Sequence, residues 1–61
     1  IVRDRDDLAF IFPGCRFLLP TKTDKGVMVG LAFRGRTVLV QAKAYWMAYH
    51  TLVRKAVQMF L

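Results

Sequence analysis

Residues 41–61 read QAKAYWMAYHTLVRKAVQMFL, with neither glycine nor proline. A run this long is more than an ordinary strand uses. At about 100° per residue, Tyr45, Tyr49, Leu52, Val53, Ala56, Met59 and Phe60 fall in one arc. Lys43, His50, Thr51, Arg54, Lys55 and Gln58 fall in the opposite arc, with Trp46 and Val57 on the border and Ala44 and Met47 interrupting the polar side. The spacing predicts one long amphipathic helix with a wide apolar stripe. Such a helix is not stable alone in water, so it has to lie on something. The only candidate is the strand-like stretch before it.

That stretch alternates. In residues 15–19, Cys15, Phe17 and Leu19 alternate with Arg16 and Leu18, and Pro20 is expected to close the strand. Residues 21–26 read as a polar turn in which Asp24 and Gly26 suit a chain reversal. In residues 27–33, Val27, Val29, Leu31 and Phe33 share one face. Met28, Gly30 and Ala32 share the other, which Gly30 and Ala32 keep low enough for a helix or a partner to approach closely. Residues 34–36 form a short hairpin loop around Gly35, and residues 37–40 a third strand. The helix is expected to follow at once, with Gln41 a weak cap. Turns this short exclude crossovers, so the strands run antiparallel.

Residues 1–14 are expected to be an N-terminal arm or short helix. Asp6 or Asp7 is placed to cap a turn through residues 8–12. The same five apolar residues fit a buried strand equally well. Pro13 and Gly14 end the segment. Residues 15–61 are then one strand-strand-strand-helix module. The predicted fold class is α+β: a three-stranded antiparallel sheet packed by one long C-terminal amphipathic helix.

A chain of 61 residues makes one domain at most, and one this small buries only about 60% of its unfolded surface. Yet 56% of its residues are apolar. Either a partner chain or a copy of itself covers the excess, or the chain is a piece of something longer. The start at Ile1 and the finish on Met59, Phe60 and Leu61 favour a piece.

The net charge is +6 and unevenly spread. Residues 1–7 set Arg3 and Arg5 against Asp4, Asp6 and Asp7; residues 8–61 set eight Lys and Arg against Asp24 alone. A body this basic points to an anionic partner, nucleic acid first and an acidic membrane surface second. The bland alternative is charge kept for solubility. No apolar run reaches about 18 residues, so no transmembrane helix is expected, and the N-terminus lacks a signal-peptide pattern. Cys15, the one cysteine, permits no internal disulfide. It reads as a small hydrophobe, in keeping with an intracellular, reducing compartment.

Catalysis finds no support. The chain has one His, one Cys and no Ser. His50 reads as a solvated surface residue beside Lys43 and Arg54, or as a phosphate or base contact. No ligand cluster suits a metal, no glycine-rich loop suits a phosphate cofactor, and no small-molecule substrate is implied. Binding fares better. Arg16, Lys22, Lys25, Arg34 and Arg36 fall on strands or the turns beside them, so they can fan out from the uncovered sheet face and its rims. Lys43, Arg54 and Lys55 on the helix are candidates for phosphate contacts. Each alone is an ordinary solvated side chain; the scarcity of acids after residue 7 lifts the group. Tyr45 and Tyr49 read as core residues with wet hydroxyls, and Trp46 as an edge-of-core residue rather than a base-stacking platform.

The segments GVMVGLAF from Gly26, RGRTVLV from Arg34 and AYWMAY from Ala44 follow a known order: strand, turn, strand, turn, strand, helix. Over about residues 15–58 this order resembles the small DNA-binding domain of plant ethylene-response factors. It is similar also to relatives in phage integrases and beside HNH homing nucleases. The helix here is more apolar, the plant domain's Trp and Arg pattern is missing, and there are no HNH catalytic histidines. The resemblance implies that the sheet face docks in the major groove, with Arg16, Arg34 and Arg36 in strand or hairpin positions. The expected function is a non-catalytic nucleic-acid-binding module, with double-stranded DNA as the expected partner and a basic sheet face and hairpin as the means. The alternative is a protein-interaction or assembly module. A membrane-surface helix is set aside, because its stripe is needed to cover the sheet.

Overall fold

The computed structural model describes residues 2–61; Ile1, part of the expected arm, lies outside them. The elements are α1 (Arg5–Ile11), β1 (Arg16–Thr23), β2 (Gly26–Phe33), β3 (Arg36–Ala42) and α2 (Tyr45–Phe60). The strands form one antiparallel sheet in the order β1-β2-β3. The long helix α2 lies along β2 and β3, with α1 beside it. The architecture is the expected α+β sheet and C-terminal helix.

Residues 8–12 are helical through Ile11. Leu8 and Phe12 are buried while Phe10 points out at 88% exposure. A strand would have put all three on one side; the four-residue step of a helix separates them. The cap is Asp4, not Asp6 or Asp7. Its carboxylate accepts from the Asp6 and Asp7 backbone N–H groups at 3.0 and 3.2 Å. Asp6 and Asp7 sit inside the first turn, where the helix dipole favours them. The Asp7 carboxylate also reaches back to accept from the Arg3 N–H at 2.7 Å.

The first strand does not stop at Pro20. It runs to Thr23, and its pairing with β2 slips between Leu18 and Thr21. Pro20 is tolerated because β1 is an edge strand and the bulge needs no N–H from it. The slip also parts Leu19 from Cys15 and Phe17, whose alternation it shares in the sequence: Leu19 is 86% exposed, whereas Cys15 and Phe17 are half-buried.

Two-residue turns make both hairpins. Thr23 pairs with Gly26, and Phe33 with Arg36. In the second turn Arg34 and Gly35 both have positive φ, 53° and 77°, as a type I′ turn requires. The Arg34 guanidinium lies 5.1 Å from the Phe33 ring centre, a cation–π contact. In the first turn Thr23 Oγ1 accepts from the Lys25 N–H and donates to the Gly26 carbonyl. Gly26, at φ 129°, abuts the Ala42 carbonyl oxygen so closely that no β-carbon fits.

The third strand continues through Ala42, so Gln41 is a strand residue and not the helix cap. It extends the alternation of Val38 and Val40 inward, Leu39 outward, and its side-chain amide donates to Thr23 Oγ1 at 2.7 Å. The N-cap of α2 is Ala44, which offers no side-chain hydrogen bond.

One core joins the layers. Val27, Val29, Leu31, Val38 and Val40 from the sheet meet Ala48, Tyr49, Leu52, Ala56 and Phe60 from α2 and Leu8 and Phe12 from the α1 side. The small residues Ala48 and Ala56 flank Leu52 at i, i+4 spacing and let α2 sit close. The buried line is therefore narrower than the sequence arc. Tyr45 and Met59, both expected inside, are 45% and 41% exposed. Tyr45 is in the first turn, beside Asp4, Arg5 and Asp6, and Met59 flanks the cleft along β3. Phe12, Phe33 and Phe60 pack edge to face with ring centres 5.3–5.8 Å apart, which ties the ends of α1, β2 and α2 together.

Candidate nucleic-acid interface

Covering one sheet face with α2 leaves the other uncovered. The register arranges that face in rows across the strands: Arg16–Ala32–Thr37, Leu18–Gly30–Leu39, and Thr21–Met28–Gln41. Partners directly opposite in an antiparallel ladder share a face, so each row points the same way. The middle row is flat. A β-carbon at Gly30 would stand 2.5 Å from Leu18 Cδ1 and 2.7 Å from Leu39 Cδ2, so the two leucines close over the glycine. Only one of the expected basic residues, Arg16, lies on this face.

The other strand and turn cations sit at the two ends of the sheet. At one end are the Arg34–Gly35 turn and Arg36, which shares the covered-face register with Phe33. At the other are Lys25 in the first turn and Lys22, on the covered-face register opposite Val27. Lys43 joins this second group, because Gly26 packs against the backbone of Ala42 and Lys43. Arg54 and Lys55 lie on α2, away from the open face; Lys55 lines a cleft with Thr37, Val38, Leu39, Gln58 and Met59. All eight are exposed. The structure thus gathers Arg16, Arg34 and Arg36 at one end and Lys22, Lys25 and Lys43 at the other, and keeps Arg54 and Lys55 apart from both.

The second group has a neighbour that the sequence reading missed. The α2 N-terminus carries no capping side chain and no acid in its first turn. Its N–H groups present a partial positive charge beside Lys43, with Trp46, 60% exposed, in the same turn, and with Asp4 and Asp6 on the other side, beside Tyr45. The signal was present in the sequence: Lys43 and Ala44 precede the helix where Ser, Thr or Asp would cap it.

His50 is exposed and lines a shallow cleft with Val2, Asp7, Phe10, Ile11 and Val53. Cys15 is half-buried, and that burial pushes its thiol up from the ordinary range, which disfavours the reactive thiolate. Burial likewise raises the Tyr49 phenol, with the nearby Arg5 guanidinium opposing the shift. Among the described residues no group of three His, Cys, Asp or Glu could hold a metal ion, and no helix is long and apolar enough to cross a membrane.

Comparisons with protein-family models, curated proteins and solved structures find no match to this chain.

Proposed function

We propose that this chain is a non-catalytic nucleic-acid-binding module that takes double-stranded DNA against its open sheet face. The observation that carries the reading is the placement of charge. Every basic side chain of residues 8–61 is exposed, and six of the eight stand at the two ends of one flat, weakly polar face. An eight-residue strand spans about 26 Å at ~3.3 Å per residue. That is roughly seven to eight nucleotide steps at ~3.4 Å along one DNA strand. The two ends then grip phosphates while the face between them meets the groove. The uncapped α2 N-terminus adds N–H donors to the Lys22, Lys25 and Lys43 end. On the face, Arg16 is the group suited to a guanine edge, and Leu18 and Leu39 suit thymine methyls. The resemblance to plant ethylene-response factor domains points the same way.

Fluorescence anisotropy with labelled duplexes tests this. With four to six phosphates engaged, log K against log salt should slope at about −4 to −5. Replacing Lys25 and Lys43 by Ala should weaken every duplex equally. Arg16→Ala should remove about 1–3 kcal/mol of discrimination at one base pair if Arg16 reads a guanine. Absence of binding to duplex, single strand and RNA at about 50 mM salt overturns the reading. The second reading, a protein-interaction module, draws on the adjoining β3 edge, taken up next.

A further inference from the structure

The sheet has two edges, and they are built differently. Along β1 the edge is broken by the bulge at Leu19 and Pro20, with Lys22 beyond it. Bulges, proline and lysine are the devices by which sheet edges avoid pairing with other chains. The edge of β3 has none of these within the strand. It pairs with β2 without a slip from Arg36 through Ala42, so its outward N–H and C=O groups form a straight, uninterrupted ladder.

A cleft runs beside this edge, lined by Thr37, Val38, Leu39, Lys55, Gln58 and Met59. Leu39 and Met59 are its exposed apolar members, at 54% and 41%. Its charge has one sign. Arg36 opens the strand, Lys43 follows it and Lys55 stands on the α2 side, while the four aspartates sit on the α1 segment and the first turn.

We infer that the β3 edge is a docking site for an extended, acidic peptide segment of a partner protein, which adds as a fourth strand. Backbone pairing to β3 would supply affinity. Alternate side chains of the guest would fall toward Met59 on the α2 side or beside Leu39 on the open-face side, and its carboxylates would meet Arg36, Lys43 and Lys55. The same charge argues against a second copy of this chain. Two β3 edges paired antiparallel would bring their Lys55 side chains and strand-end cations together, a like-charge arrangement that disfavours the pair. The site shares Leu39, Arg36 and Lys43 with the proposed DNA face, but its backbone pairing lies in the plane of the sheet, whereas the DNA face lies across it.

The probe is an end-blocked peptide of alternating valine and glutamate, followed by backbone amide hydrogen exchange of the 61-residue chain. At about 1 mM peptide, exchange should slow roughly tenfold or more at alternate amides of β3 and remain unchanged along β1. The same peptide N-methylated at every second residue should not bind, and one with lysine in place of glutamate should bind far more weakly. Lys55→Glu, an exposed change that should leave the far-ultraviolet circular dichroism intact, should shift preference toward the lysine peptide. Any of four results overturns the inference: no slowing along β3 at about 1 mM; equal binding of the N-methylated or lysine peptide; protection of β3 that grows with protein concentration in the absence of peptide, which makes the occupant a second copy; or the same protection from duplex DNA, which gives the cleft to nucleic acid. A duplex that binds without protecting β3 leaves the peptide site and the DNA reading both standing.

Discussion

Along β2, consecutive residues go to opposite fates. Val27, Val29 and Leu31 are buried under α2, while Met28, Gly30 and Ala32 line the open face between Arg16, Leu18, Thr37, Leu39 and Gln41. On β2 the covered side is uniformly apolar and its residues are large enough to interlock with Leu52 and Phe60. The open face is mixed, and its centre is a glycine with two leucines folded over it. One face is specified by packing, where volume decides stability. The other is half in water, so changes there are expected to cost little stability.

The sharpest test of this contrast is one pair of leucines. Leu31→Ala, at a fully buried position, should destabilise by about 2–5 kcal/mol. Leu39→Ala on the open face should cost less than about 1 kcal/mol, because half its surface is already in water. Urea melts read both; equal costs would mean that the open face is part of the core.

The two glycines that fall on the open-face register form the next pair. At Gly26 a β-carbon meets the backbone oxygen of Ala42, and φ is 129°. Neither can relax, so Gly26→Ala should cost about 2 kcal/mol or more. At Gly30 the obstacles are the ends of two flexible side chains, so Gly30→Ala should cost about 1 kcal/mol by displacing Leu18 and Leu39. A larger loss at Gly30 than at Gly26 would show that the open face is rigid.

Alkaline titration probes the covered side. Burial raises the Tyr49 phenol in the folded chain. Its stabilising contribution is then complete below the unfolded value near ~10 and is lost as pH rises through the higher folded value. Thermal melts above about pH 10 should show falling stability, with a shallower fall in Tyr49→Phe. The same fall in both proteins would place the effect elsewhere.

The smallest effect belongs to the hairpin that joins both faces. Arg34 adopts a left-handed conformation at φ 53°, which costs a non-glycine residue about 1–2 kcal/mol. The contact with Phe33 offsets part of this. Arg34→Gly should therefore raise stability by about 0.5 kcal/mol or leave it unchanged, while weakening binding to DNA if the arginine serves phosphate. A clear loss of stability would show that the cation–π contact outweighs the strain.

Much of this architecture was legible in residue order. The unbroken run before Leu61 demanded a helix, the alternation from Val27 to Phe33 demanded a half-covered strand, and Gly35 and Gly26 marked the reversals. These are local patterns, set by the periods of helix and strand and by the sterics of glycine. What residue order left open was decided by neighbours. Residues 8–12 became a helix because its step takes Leu8 and Phe12 into the core while leaving Phe10 outside, where a strand would have put all three on one side. The first strand passed through Pro20 because it is an edge strand, a fact about its place in the sheet. The third strand kept Gln41 because Met28 and Thr23 were there to receive it. For the candidate site the division is the same. The sequence alone determined that the body is basic, since charge needs no geometry. Only the tertiary structure decided that the open face holds one arginine, that the remaining strand and turn cations stand at its two ends, and that the β1 edge carries a bulge while the β3 edge does not. Which way a side chain points at a strand margin depends on pairing register, and register is a property of two strands and never of one.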